Sequence, residues 1–99
     1  MSDVLTNSVW RRSGDIAAVE QDDRIVALDL SSPAAPPVVL EGTAAMIWHL
    51  LAEEDSEVRL VGLVARAFRV HPLHVRADVH AFLLHLNDLG LVTRSGELP

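Results

Sequence analysis

The chain has no cysteine and no lysine. Without cysteine there are no disulfides, no thiolate ligands and no thiol nucleophile. Without lysine, all eight of its basic side chains are arginines, set against 14 acidic residues for a net charge of −6. That balance opposes a phosphate backbone, since affinity for nucleic acid rests on cations that neutralise phosphates. No apolar run approaches the ~20 residues needed to cross a bilayer. The pair Arg11-Arg12 leads into SGDIAAVE rather than an apolar segment, so it is not a twin-arginine export signal. The cytoplasm is the expected location. The five glycines are scattered, with no glycine-rich phosphate loop and no G-x-S-x-G. The chain is therefore expected to be no enzyme, with no catalytic residue, no cofactor and no metal.

What is abundant is apolar surface. Apolar residues make up 49% of 99 residues, and mean hydropathy is +0.25. A single domain of this size buries about 60–70% of its unfolded surface. Some apolar surface is left outside, where such patches mark partner sites.

The N-terminal segment, residues 1–14, has no clear period. It is expected to be a flexible tail, with one extended piece near Val9 to Arg12 and with Trp10 packed on the outside. Ile16 to Glu20 favours a strand, Gln21-Asp22-Asp23 has turn chemistry, and Arg24 to Leu30 alternates. Val26, Leu28 and Leu30 share one face of that strand; Ile25, Ala27 and Asp29 share the other. The two runs predict a hairpin. After the loop SSPAAPP, Val38-Val39-Leu40 is a third strand. Pro36 and Pro37 cannot donate to a ladder, so they place it at a sheet edge.

Three helices follow. The first spans about Thr43 to Glu53, capped by Gly42 or Thr43, with a core face of Ala44, Ile47, Trp48 and Leu51. The second spans about Val58 to Phe68, with Leu60, Leu63, Val64, Ala67 and Phe68 as its stripe. The third opens at Pro72, a favoured first helical position, and runs to about Leu89. Its apolar face is Val75, Val79, Phe82, Leu83, Leu86 and Leu89. Gly90 is the expected C-cap, with Leu91 or Val92 folding back. Residues 93–99 are expected to be a tail. The fold class is α+β, winged helix-turn-helix-like: a three-stranded antiparallel sheet followed by three helices, in one domain over residues 15–92.

The candidate polar sites are few. His71, His74 and Asp78 cluster at a helix start, but His74 and Asp78 are an ordinary i, i+4 pair and a metal needs three or four convergent ligands. The acidic run Glu53-Glu54-Asp55 with Glu57 reads as a solvated helix end, or as a dock for a basic partner. His74, Asp78, Ala81 and His85 form a stripe beside the apolar face of the third helix, suited either to solvation or to contact with a bound peptide. Three strands with three helices also suggest a DNA-binding winged helix. Against it, the third helix carries only Arg76 beside Asp78 and Asp88.

The segments LEGTAAMIWHLL and DVHAFLLHLNDLGLV resemble the PqqD-like family, also called RiPP recognition elements. Leu40, Ala45, Ile47, Trp48, Leu50 and Leu51 carry the first motif. Asp78, Val79, Phe82, Leu83, Leu86, Gly90 and Leu91 carry the second. Glu41 departs from the family's usual Asn, Ala44 from its Gly, and SSPAAPP from its shorter turn. The pattern is most similar to stand-alone recognition proteins of lasso-peptide biosynthesis. The resemblance implies a peptide chaperone that binds the leader of a ribosomally made precursor and presents it to a transglutaminase-like leader peptidase. The expected mode is strand addition to the third strand against the third helix. The expected contacts are Val38, Val39, Leu40, Glu41, Val75, Asp78, Val79, Phe82 and Leu86. Alternatives are a PqqD-like carrier for a radical SAM enzyme that modifies a peptide, or a DNA-binding winged helix. No nucleic acid and no membrane are expected as partners, and the protein is expected to be a monomer or a weak edge-paired dimer.

Overall fold

A computed structural model describes residues 8–32 and 34–97. The chain order is β1 (Ser8–Arg12), β2 (Ile16–Gln21), β3 (Arg24–Asp29), β4 (Val38–Glu41), α1 (Thr43–Leu50), β5 (Asp55–Ser56), α2 (Glu57–Phe68), α3 (Pro72–Asp88) and β6 (Val92–Glu97). The α+β, winged-helix-like fold is as expected: β2, β3 and β4 form an antiparallel three-stranded sheet, joined by three helices. A second small sheet, in the order β5-β1-β6, was not foreseen.

The hairpin of β2 and β3 turns through Asp22-Asp23, with Asp22 at φ 56°, and pairs Gln21 with Arg24. Short polar Asx side chains tolerate that left-handed conformation. The buried face of β3 carries Ile25 (3% exposed) and Ala27 (0%), whereas Leu28 and Leu30 are exposed. The inner face of β3 is thus Ile25 and Ala27, opposite Leu40 and Val38 of β4.

Gly42 joins β4 to α1 at φ 59°, ψ −130°, a region that only glycine enters readily. Ala44, Ile47, Trp48 and Leu51 of the expected stripe are all buried. Ser56 caps α2 by accepting from the Arg59 N–H at 3.2 Å. Leu60 and Val64 are core residues of α2 as expected, but the stripe continues through Val61 and Ala65, while Ala67 and Phe68 are exposed. The turn after α2 passes through Arg69 in the left-handed conformation, at φ 58°. Pro72 opens α3, and His71 Nδ1 accepts from the Leu73 N–H at 3.1 Å. On α3, Val79, Leu83 and Leu86 are fully buried. Gly90 ends the helix at φ 78°, and the Leu91 N–H reaches back to the Leu86 carbonyl at 2.9 Å. Leu91 and Val92 are buried, so the expected fold-back is present.

Two segments read as tails are partly strands. Residues 8–12 form β1, which pairs antiparallel with β5 and with β6, the latter from the other end of the chain. Trp10 is not packed outside but is 0% exposed. Its indole N–H donates to Glu57, which is 2% exposed and also meets His80 Nδ1 at 2.8 Å. Glu57 is therefore not part of a solvated acidic end. Arg12 donates through Nε to the Trp48 carbonyl at 3.0 Å and stacks 4.4 Å from the Trp48 ring. Its burial lowers the guanidinium's pKa from the usual value. Residues 1–7 and 98–99 of the expected tails lie outside the described residues. Among the described residues no helix is long and apolar enough to cross a membrane.

Candidate functional site

The sheet order β2-β3-β4 leaves β4 with a neighbour on one side only among the described residues. The hairpin fixes which of its groups face outward. A two-residue turn makes Gln21 and Arg24 a mutually hydrogen-bonded pair, and antiparallel ladders alternate from there. Arg24, Val26 and Leu28 thus direct their main-chain groups to β2. Ile25 and Ala27 direct theirs to β4, where they stand opposite Leu40 and Val38. By the same alternation Val39 and Glu41 turn their N–H and C=O toward the open edge. Pro37, next in that alternation, has no N–H to offer.

The nine candidate contacts fall into three groups. Val39 (51% exposed), Glu41 and Asp78 are at the surface. Val38, Val75 and Phe82 are half-buried and pack on the margin of the core. Leu40, Val79 and Leu86 are core residues, at 4%, 0% and 0% exposure. They hold the wall of any groove from behind rather than line it. Glu41 is also engaged by Arg24 Nε at 3.6 Å, with both side chains well exposed, which makes a weak pair.

On α3 a hollow of about 300 Å³ is lined by Asp78, Ala81, Phe82 and His85. It takes in three residues of the polar stripe read from the sequence, Asp78, Ala81 and His85, together with Phe82. His74, the fourth member, is exposed and lies near His71, with ring centroids 6.4 Å apart and the planes tilted by 55°. The hollow's lining comes from α3 alone, and the β4 residues do not contribute to it. Among the described residues no three His, Cys, Asp or Glu side chains converge to hold a metal ion.

One feature beside the edge escaped the sequence reading. Val19, Val26 and Val39 stand opposite one another across β2, β3 and β4, and so form one row on the outer face. Ala17 and Leu28 form the next row. Val19 is 63% exposed and Leu28 36%. The β3 alternation carried the signal; what it lacked was the cross-strand register that lines the rows up.

The fold has a solved counterpart. The chain is similar to TbiB1, seen in complex with the TbiA(beta) leader peptide, at a TM-score of 0.74 and 24% identity over 90% of this chain and 99% of that one. At that identity the likeness is one of fold. No curated protein matches the chain. The family model of coenzyme PQQ synthesis protein D (PqqD) matches residues 25–92, from β3 through all three helices to the start of β6. That span holds the edge strand, the glycine junction and the α3 wall, and the chain belongs to the PqqD family.

Proposed function

We propose that this protein is a RiPP recognition element that binds the leader region of a ribosomally made precursor peptide. The leader adds as a strand to β4 and lies against the side of α3 that carries Val75, Asp78 and Phe82. The observation that carries this reading is the open β4 edge, where Val39 and Glu41 direct main-chain groups away from β3 with no strand beyond them among the described residues, beside half-buried apolar side chains. Membership of the PqqD family and a fold shared with TbiB1, which is seen with a leader peptide, support it. In an added strand, side chains opposite Val38 and Leu40 point to the α3 side, and those opposite Val39 extend the outer valine row. The finer reading is a lasso-peptide pathway, in which the bound leader is presented in the cytoplasm to a separate transglutaminase-like peptidase.

The test is titration of the leader encoded beside this gene into the labelled protein. Amide shifts confined to Val38–Glu41 and α3, and lost in Val39→Pro, are expected. Unshifted β4 amides, or full binding by a folded Val39→Pro variant, would sink strand addition there.

The family match, described by coenzyme PQQ synthesis, favours a second reading: a peptide carrier for a radical SAM enzyme. The genes alongside separate the two, since one pathway needs a peptidase with a macrocyclising synthetase and the other a radical enzyme.

A further inference from the structure

On the opposite flank of α3 from the polar stripe, α2 and α3 part to leave a groove of about 440 Å³. Glu57, Val58, Val61 and Gly62 line it from α2, and Pro72, Leu73 and Arg76 from α3. Two large apolar side chains stand open at its margin: Val58 is 52% exposed and Leu73 is 68%. One of its lining residues, the exposed Gly62, is a glycine in mid-helix, where glycine weakens a helix relative to alanine. A Cβ added to Gly62 would meet no atom within 4 Å, so no packing among the described residues calls for glycine there. An exposed glycine on the lining of an apolar groove lets another chain come close to the helix backbone.

The charge around this groove runs against the rest of the molecule. The chain carries −6, yet residues 57–77 hold four arginines and a single acid. That acid, Glu57, is among the groove's lining residues, but it is 2% exposed and both of its carboxylate oxygens are engaged, one by Trp10 and one by His80. Arg59 is paired with Asp55 at 3.0 Å. Arg76, on the groove wall, and Arg66, one turn beyond Gly62 on α2, have no carboxylate partner among the described residues and are exposed. An apolar slot with an unpaired arginine on its wall, and a second one turn beyond Gly62 on α2, is complementary to anions joined to an apolar side chain.

We propose that the α2–α3 groove docks an acidic segment of a second protein, with one large apolar side chain seated over Gly62 and carboxylates beside Arg76 and Arg66. This site is separate from the β4 edge, and it does not depend on what that edge binds. DNA is the weaker occupant, because a duplex offers phosphates but nothing to fill an apolar slot.

The probe is a nine-residue peptide of Glu and Asp with one central Phe, titrated into the labelled full chain. Amide shifts are expected at Val58, Gly62, Leu73 and Arg76, with Val38–Glu41 unmoved. Replacing the probe's Phe with Ala should weaken binding roughly tenfold or more, the scale for losing a large side chain from an apolar pocket. Gly62→Leu fills the groove from open space and improves helix propensity, so it should fold and should lose the probe. Arg76→Glu should lose the acidic probe and favour the same peptide built with Lys. The proposal is overturned if the probe moves none of these amides. It is equally overturned if the Lys peptide binds the native protein as well as the acidic one, or if Gly62→Leu folds and still binds. Arg76-dependent binding of duplex DNA, or a dimer that Gly62→Leu disperses, would assign the groove to those occupants instead.

Discussion

The Trp10 indole nitrogen lies 3.0 Å from the Glu57 carboxylate, across 47 residues of chain, and both side chains are buried. One hydrogen bond thereby ties β1 to the first turn of α2, while the other carboxylate oxygen meets His80 on α3. Trp10→Phe removes the donor and leaves part of the indole's volume empty. It should lower stability by about 2–4 kcal/mol, read as a shift of the urea midpoint at unchanged slope. A change under about 0.5 kcal/mol would show that β1 is peripheral.

Arg12 should matter through geometry as much as charge. Its guanidinium donates to the Trp48 carbonyl near the end of α1 and stacks on the Trp48 ring. Arg12→Ala should cost about 1–3 kcal/mol by denaturation. Arg12→Lys should recover little of it, because an ammonium cannot both stack flat and donate from the same plane.

These two anchors show where sequence reading stops. The hairpin, β4 and the three helices announce themselves locally, through alternation, Pro36-Pro37, Gly42, Pro72 and Gly90. The extended piece at Val9 to Arg12 was legible and is β1, but its pairing was not, because its partners Asp55-Ser56 and Val92 onward lie far away in the chain, and nothing in VWRR marks that pairing. The same distance hid Glu57, which reads as one more acid in EEDSE until Trp10 and His80 are placed around it. On α2, period alone could not say that Phe68 rises out of the core after Val64. At the candidate site, the edge was legible from its prolines. The outward direction of Val39 needed the register of β3.

Proline placed at two neighbouring positions should separate the ladder from the edge. Val38→Pro removes an N–H directed at β3 and should destabilise by about 1–3 kcal/mol. Val39→Pro removes one directed outward and should cost less. Thermal unfolding of the pair decides it: equal losses would contradict the register.

Gly62→Ala should stabilise the protein by about 0.5–1 kcal/mol, since the added methyl meets open space in a helical position. For a domain of this size that raises Tm by roughly 2–8 °C.

Gly42→Ala should do the opposite. At φ 59°, ψ −130° a side chain is strained even though nothing stands within 4 Å of it. A loss of about 1–3 kcal/mol is expected, with calorimetry as the readout.

The β4 edge is bounded at both ends, by Pro37, which cannot donate, and by Gly42, which turns the backbone away into α1. A strand laid along it meets both an N–H and a C=O at only two residues, Val39 and Glu41, with the Pro37 carbonyl as one further acceptor. Every peptide carries the same main chain, so an interface this short gives little adhesion to peptides in general. Discrimination among sequences must then come from the side-chain contacts around it, and a peptide whose side chains fit poorly should leave quickly even when its backbone pairs well.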